Sequence, residues 1–145
     1  MISSEPMFRI RARLADVLSL GTTPFGERRI INIVGGEVDG TKLRGKVLPG
    51  GADWQMIDGI ADIQGRFTIE TETGARVVVD CRDVRHCPPD VLAKLRQGEG
   101  VDPGLRTVMR FETSAASAAW LNHVLALARG TREPNGVRLD VYELL

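Results

Sequence analysis

The spacing of turn residues constrains this chain more than any other feature. Asp39-Gly40, Pro49-Gly50-Gly51, Asp58-Gly59, Thr73-Gly74 and Pro134-Asn135-Gly136 cut it into short runs. Asp-Gly and Asn-Gly between alternating runs are strong hairpin signals. Met7–Leu14 alternates apolar residues with Arg9, Arg11 and Arg13, as a strand with one wet face does. Arg28–Val34 is β-branched, Leu43–Leu48 returns from Asp39-Gly40, and Trp54–Ile57 is a short strand. Ile60–Thr71, Ala75–Cys81, Arg106–Thr113 and Val137–Tyr142 also read as strands. Three consecutive valines, Val77 to Val79, suggest that both faces of their strand are covered.

One segment breaks the pattern. Pro88-Pro89 opens and Gly98 closes a stretch with Lys94 and Arg96 in its last turn, and Val91, Leu92 and Leu95 fall on one stripe. These are helix start and stop signals in the right order. The expectation is one short helix near residues 89–97, acting as a cap or plug. Ser114–Trp120 reads as a loop or a single helical turn. Leu121–Ala128 has helical composition but lies between strands, and is read as strand. Short strands at roughly ten-residue spacing with one helix predict a mainly β chain forming a closed antiparallel barrel.

With 145 residues the chain is read as one domain, 1–145. Lys+Arg and Asp+Glu are both 19, so no basic excess supplies the phosphate neutralisation that nucleic-acid binding needs, nor a polybasic membrane patch. No uncharged apolar run approaches the roughly 18 residues of a membrane-spanning helix. The first residues lack the basic-then-apolar order of a secretory signal. Cys81 and Cys87 do not make the CxxC pairs of a zinc or redox site, and are expected to be reduced in a cytoplasmic protein. Joining them would require a turn at Asp83.

Chemistry concentrates in Leu48–Gln55, where a rigid Pro-Gly-Gly turn delivers Asp53, Trp54 and Gln55 in succession. Strand alternation puts Arg66, Thr68 and Glu70 on one face, a plausible pocket wall. Glu112 carries the same Glu-Thr signature as Glu70 and would partner it across a lumen. Trp120 and Asn122 flank Leu121, so on a strand they would share a face, an apolar plate beside an amide. Each has a plainer reading: Asp53 capping a turn, the tryptophans filling the barrel, Arg66 and Glu70 forming an ion pair. His86 and His123 are the only histidines and do not make a metal site. Patterns for a hydrolase elbow, a P-loop or a dinucleotide fold are absent, and no cofactor is expected.

The run Gly35-Gly36-Glu37-Val38-Asp39-Gly40, followed by Leu43 to Gln55 with its Gly-Gly-Ala-Asp-Trp-Gln core, resembles the family catalogued as domain of unknown function 3237. Asp58-Gly59, Arg66–Thr71, Thr73-Gly74-Ala75, Phe111-Glu112-Thr113, Ala119–Asn122 and Val141-Tyr142-Glu143 continue the resemblance over nearly the whole chain. It implies a small closed antiparallel barrel, lipocalin-like or cyclase-like, in a family without a settled activity. The chain departs from the pattern at Gln64, where an acid is usual, at Asp80–Asp83, where an Asn-x-Gly turn is usual, and at Gly104-Leu105, where an aromatic pair is usual.

Three functional classes stay open. The first is a barrel binding a small hydrophobic or ring-bearing metabolite through Trp54, Gln55, Arg66, Glu70, Glu112, Trp120 and Asn122. The second is a cofactor-free isomerase, cyclase or lyase in which Glu70 or Asp53 moves a proton while Arg66 steadies an oxyanion. The third is a homo-oligomeric structural protein whose polar faces form interface ion pairs.

Overall fold

In the computed structural model, which describes residues 1–86, 88–97 and 104–145, ten strands occupy eight positions around a closed antiparallel barrel. Their order is β1 (Phe8–Leu14), β2 (Leu18–Thr23), β3 (Gly26–Asp39), β4 (Gly45–Val47), β5 (Gly51–Asp58), β6 (Ile60–Thr71) and β7 (Arg76–Arg85). Then come helix α1 (Pro89–Arg96), β8 (Leu105–Glu112), a 3₁₀ helix (Ala116–His123), β9 (Leu125–Glu133) and β10 (Gly136–Glu143). The circuit runs β1, β10, β9, β8, β7, β6, and then through β4 and β5 to β3.

β3 explains how ten strands fill eight places. It is long enough to pair with β1 and β2 along one edge and with β4 and β5 along the other. Closure comes where β3 meets β1, from Arg9 opposite Asp39 to Leu14 opposite Ile33. Gly36 makes that closure possible: at φ +152° a Cβ there would stand 2.0 Å from the Arg11 carbonyl oxygen.

The barrel has an apolar end and a polar end. Phe8, Ile10, Ile69, Met109 and Val141 are fully buried, and Phe8 meets Phe111 edge-to-face at 5.9 Å between centroids. Each such side chain contributes about 1.5–3 kcal/mol by leaving water. The 3₁₀ helix seals this end by inserting Ala118 and Leu121 into the core.

Several expectations change here. The segment read as a loop leading into a strand is this 3₁₀ helix, and strand resumes only at Leu125. Small residues let the backbone coil tightly over the barrel end, and filling that end outweighs the local preference. Leu18–Thr23 is β2, although its composition reads Gly21–Gly26 as a turn-rich loop; only the turn at Pro24-Phe25 remains outside the strands. β7 runs on past Cys81 to Arg85. Helix α1 forms where expected but joins β7 to β8 and does not seal the apolar end; Pro89, Asp90, Ala93 and Lys94 are exposed, while the side chains of Leu92 and Leu95 lie outside the described residues. Cys87 also lies outside them, and Cys81 is a buried free thiol. Among the described residues no helix is long and apolar enough to cross a membrane.

Candidate functional site

Register carries the inward-facing side chains from the sealed end to the open one. Because barrel strands are tilted and staggered, a row of paired residues climbs as it crosses the sheet. One row runs Phe8, Val141, Ala128, Thr107, Asp83, Ile63, Gln55. The adjacent row runs Ala126, Met109, Cys81, Gly65, Asp53, Ile31. Both begin in the apolar core; the first reaches Thr107, Asp83 and Gln55 on β8, β7 and β5, the second Cys81 and Asp53 on β7 and β5, with Ile63 and Gly65 of β6 between them.

At the open end these rows border a cavity of about 80 Å³, room for several waters. Leu14, Ile31, Ile63, Leu105 and Val137 form its apolar wall; Asp53, Gln55, Arg85 and Arg132 form the polar one. Asp83 and Thr107 lie one inward step deeper, paired across β7 and β8 and each only 4% exposed. Asp83 Oδ1 and Thr107 Oγ1 make no hydrogen bond of good geometry with any described residue, the hydroxyl lying only near enough to steady the carboxylate, a costly arrangement for buried polar atoms.

Burial sets the electrostatics. Desolvation raises the Asp53 carboxyl to about 6. It raises Asp83 to about 7, with the Thr107 hydroxyl opposing the shift and the Asp53 charge adding to it. Burial likewise pushes the Cys81 thiol well above its ordinary value, helped by the charges of Asp83, Asp53 and Asp80, so it stays a protonated thiol.

Gly65 shapes this wall. It stands between Asp53 on β5 and Cys81 on β7, and a Cβ there would lie 2.6 Å from Asp53 Oδ1 and 3.5 Å from Cys81 Cβ. The missing side chain is the notch over which the Asp53 carboxylate leans.

The residues singled out from sequence divide between inside and outside. Asp53 and Gln55 line the cavity, as a pocket role requires. Trp54, between them on a pleated strand, points outward and is 49% exposed. Arg66 and Glu70 sit on the outer face of β6, opposite the buried Phe67 and Ile69, so the lumen-facing placement expected of them is corrected. Arg66 lies 3.9 Å from Asp80. Glu70 accepts a hydrogen bond from Arg76 at 3.1 Å and lies 3.5 Å from Lys46; Arg76 first and Lys46 second hold its carboxyl below the usual range. Glu112 is also outside and exposed, and does not face Glu70 across the lumen.

Two outer hollows share Arg66, one of about 350 Å³ with Trp54 and Gln64, the other of about 120 Å³ with Asp80 and Glu112. Trp120 and Asn122 are on the 3₁₀ helix, far along the fold from the open end. Trp120 packs against the core with Lys42 Nζ 5.7 Å from its ring centroid. Asn122 clasps Thr113, its Oδ1 accepting from the backbone N–H at 2.9 Å and its Nδ2 donating to the carbonyl at 3.0 Å. A wider depression of about 470 Å³ lies beside that helix, but its charged residues Lys42, Arg44 and Glu72 are exposed to water, which weakens any electrostatic work. Among the described residues no group of three or more His, Cys, Asp or Glu side chains is placed to hold a metal ion.

Asp83, Thr107 and Arg85 were not singled out from sequence. The signal was present: Val77, Val79, Cys81, Asp83 and Arg85 share one parity, so buried valines imply that the two charged residues also turn inward.

Comparison with known proteins agrees with this architecture. The family model described as "Protein of unknown function (DUF3237)" matches residues 2–144. A UPF0311 protein of Bradyrhizobium diazoefficiens is 40% identical, with 99% of this chain and 97% of that one covered. The crystal structure of a conserved protein of unknown function from Rhodopseudomonas palustris superposes with a TM-score of 0.87 at 39% identity, covering 100% of this chain and 98% of that one. An enzyme from Penicillium herquei shares the fold with a TM-score of 0.73 at 19% identity, covering 99% and 95%.

Proposed function

The chain belongs to the DUF3237 family of proteins of unknown function, and from that premise we propose that it is a small-molecule-binding barrel whose site is the polar, open end of the lumen. One observation carries the reading. Asp83 and Thr107 hold unmet hydrogen-bonding atoms beneath a cavity whose wall presents Asp53 and Gln55. Folding alone gains nothing from desolvated carboxylates, and such groups cluster where a ligand is to be met. An apolar wall facing this polar one suits the hydroxyl- or carbonyl-bearing end of a small ring-bearing guest whose remainder stays at the open mouth. The buried free thiol of Cys81 supports a reducing compartment, the cytoplasm. The outward ion pairs of Arg66 and Glu70 close within the chain, which removes the main support for a purely structural oligomer.

Asp53 and Trp54 are neighbours on opposite faces of β5, and that pleat supplies the test. Thermal-shift screening against ring-bearing hydroxy and carbonyl metabolites should give stabilising compounds, since a ligand bound only by the folded state raises its stability. Their effect should be lost in Asp53→Asn and kept in Trp54→Ala. The opposite pattern would move the site to the outer hollow at Trp54 and refute the lumen reading. The Penicillium neighbour is described as an enzyme, which favours a catalytic version of the same site. Asp53 is the group at the cavity wall that would serve it.

A further inference from the structure

Building on the lumen as the ligand site, we propose that Asp53 is the general base of an enolisation and that the substrate is an enolisable carbonyl acid. Gln55 receives the developing enolate oxygen, and Arg85 and Arg132 hold the substrate carboxylate. The assignment follows from which groups meet at the cavity. Asp53 and Gln55 stand two residues apart on one face of β5, both lining it, with the carboxylate seated over the Gly65 notch. Arg85 on β7 and Arg132 on β9 line the same cavity from other sides.

A guanidinium takes a carboxylate through two parallel hydrogen bonds, so an acid entering at the open end is oriented by its charge. Its carbonyl then lies between cations and an amide donor, where negative charge developing on oxygen is stabilised in a partly desolvated setting. The base must be ionised at neutral pH yet more basic than an ordinary aspartate, and a carboxyl raised to about 6 by burial meets both conditions. Asp83, one step deeper, ionises after Asp53 and is the less charged of the two at neutral pH, which spares Asp53 a second negative neighbour.

The step balances without any other reactant. Asp53 takes a proton from the carbon beside the carbonyl. The C–H electron pair becomes the carbon–carbon double bond, and the carbonyl π pair becomes the enolate oxygen's charge. Neutral Asp53 either trades its proton for a solvent deuteron and delivers that to the same carbon, which is isotope exchange in D₂O, or returns the proton at a conjugated carbon to give an isomer.

The experiment follows the protons adjacent to the carbonyl of 2-oxobutyrate and of 4-oxocyclohexanecarboxylate by ¹H NMR in D₂O, with line broadening in the same samples reporting binding. Wild type should exchange them at least about a hundredfold faster than buffer, the ordinary contribution of a placed general base. The rate should rise through pH 6 and level off above it. Asp53→Asn should lose that exchange while still broadening the lines, and Gln55→Leu should slow it with less effect on binding. Binding without exchange above the buffer rate would overturn the proton transfer and leave the lumen reading intact. If neither acid binds to a lumen that takes other compounds, the substrate class is wrong. If the lumen takes no compound at all, both readings fall.

Discussion

Replacing Asp83 by asparagine should make the protein increasingly more stable than wild type as the pH rises. In the folded chain the carboxyl titrates near 7, against 3.8 for the ordinary group. The difference is about three pK units, and at about 1.4 kcal/mol each it amounts to on the order of 4 kcal/mol. The sign follows from proton counts. Between the two values the folded state keeps a proton that the unfolded chain has released, so stability falls as pH rises from about 4 to about 7. Above pH 7 the whole penalty is present, and below pH 4 there is none.

Asparagine cannot ionise and removes that dependence, at a pH-independent cost of about 1–2 kcal/mol for the amide's own unmet bonds. The other titrating group nearby is Asp53, whose carboxyl, raised to about 6, gives both proteins a smaller loss over the same window. Cys81 stays protonated. Urea unfolding at pH 5 and pH 8 by circular dichroism gives the contrast directly. Relative to wild type, Asp83→Asn should gain about 3 kcal/mol between the two pH values, a shift in unfolding temperature on the order of 10 °C for a domain of this size. Parallel curves for the two proteins would show that Asp83 is not desolvated in the folded state, and the polar floor of the site would go with it.

Other perturbations separate the site from its scaffold. Gly65→Ala places a methyl 2.6 Å from Asp53 Oδ1, an atom that can rotate away, so stability by urea unfolding should move by less than about 1 kcal/mol while lumen binding is lost. An equally strong binder would show that the notch does not seat the carboxylate. Gly36→Ala meets the Arg11 carbonyl at 2.0 Å with backbone at φ +152°, and should destabilise by on the order of 3 kcal/mol or more, measured by the same unfolding. Trp54→Ala, on the outer face, should leave lumen binding unchanged and lower stability by about 1 kcal/mol, read by calorimetry with and without a bound compound.

Local chemistry wrote most of the strand plan. Asp58-Gly59 and Pro134-Asn135-Gly136 turn the chain where expected, and β6 spans Ile60–Thr71 as read from its alternation. These features depend on residues close in sequence, so period two and turn residues suffice to reveal them. The same alternation separates Arg66 and Glu70 from Phe67 and Ile69; it also separates Asp53 and Gln55 from Trp54, against the expectation that Trp54 and Gln55 share one pocket.

What alternation alone cannot say is which face of a strand turns into the barrel, and a polar face beside a conspicuous motif is easily taken for the pocket wall. Closure decided it. Once β3 meets β1, the faces bearing Phe67, Ile69, Val77 and Val79 have to turn inward, because their burial outweighs anything gained by enclosing Arg66 or Glu70. Asp83 and Thr107 then become neighbours through pairing between strands 24 positions apart in sequence, 107 less 83, a relation no local pattern holds. Likewise the coil over residues 116–123 forms because the barrel has an end to seal. Sequence by itself determined most of the strands and turns, and the family; only the closed tertiary structure turned Asp53 and Gln55 toward a common cavity and put Asp83 in the dark beneath it, since inside and outside exist only after a sheet has met its own edge.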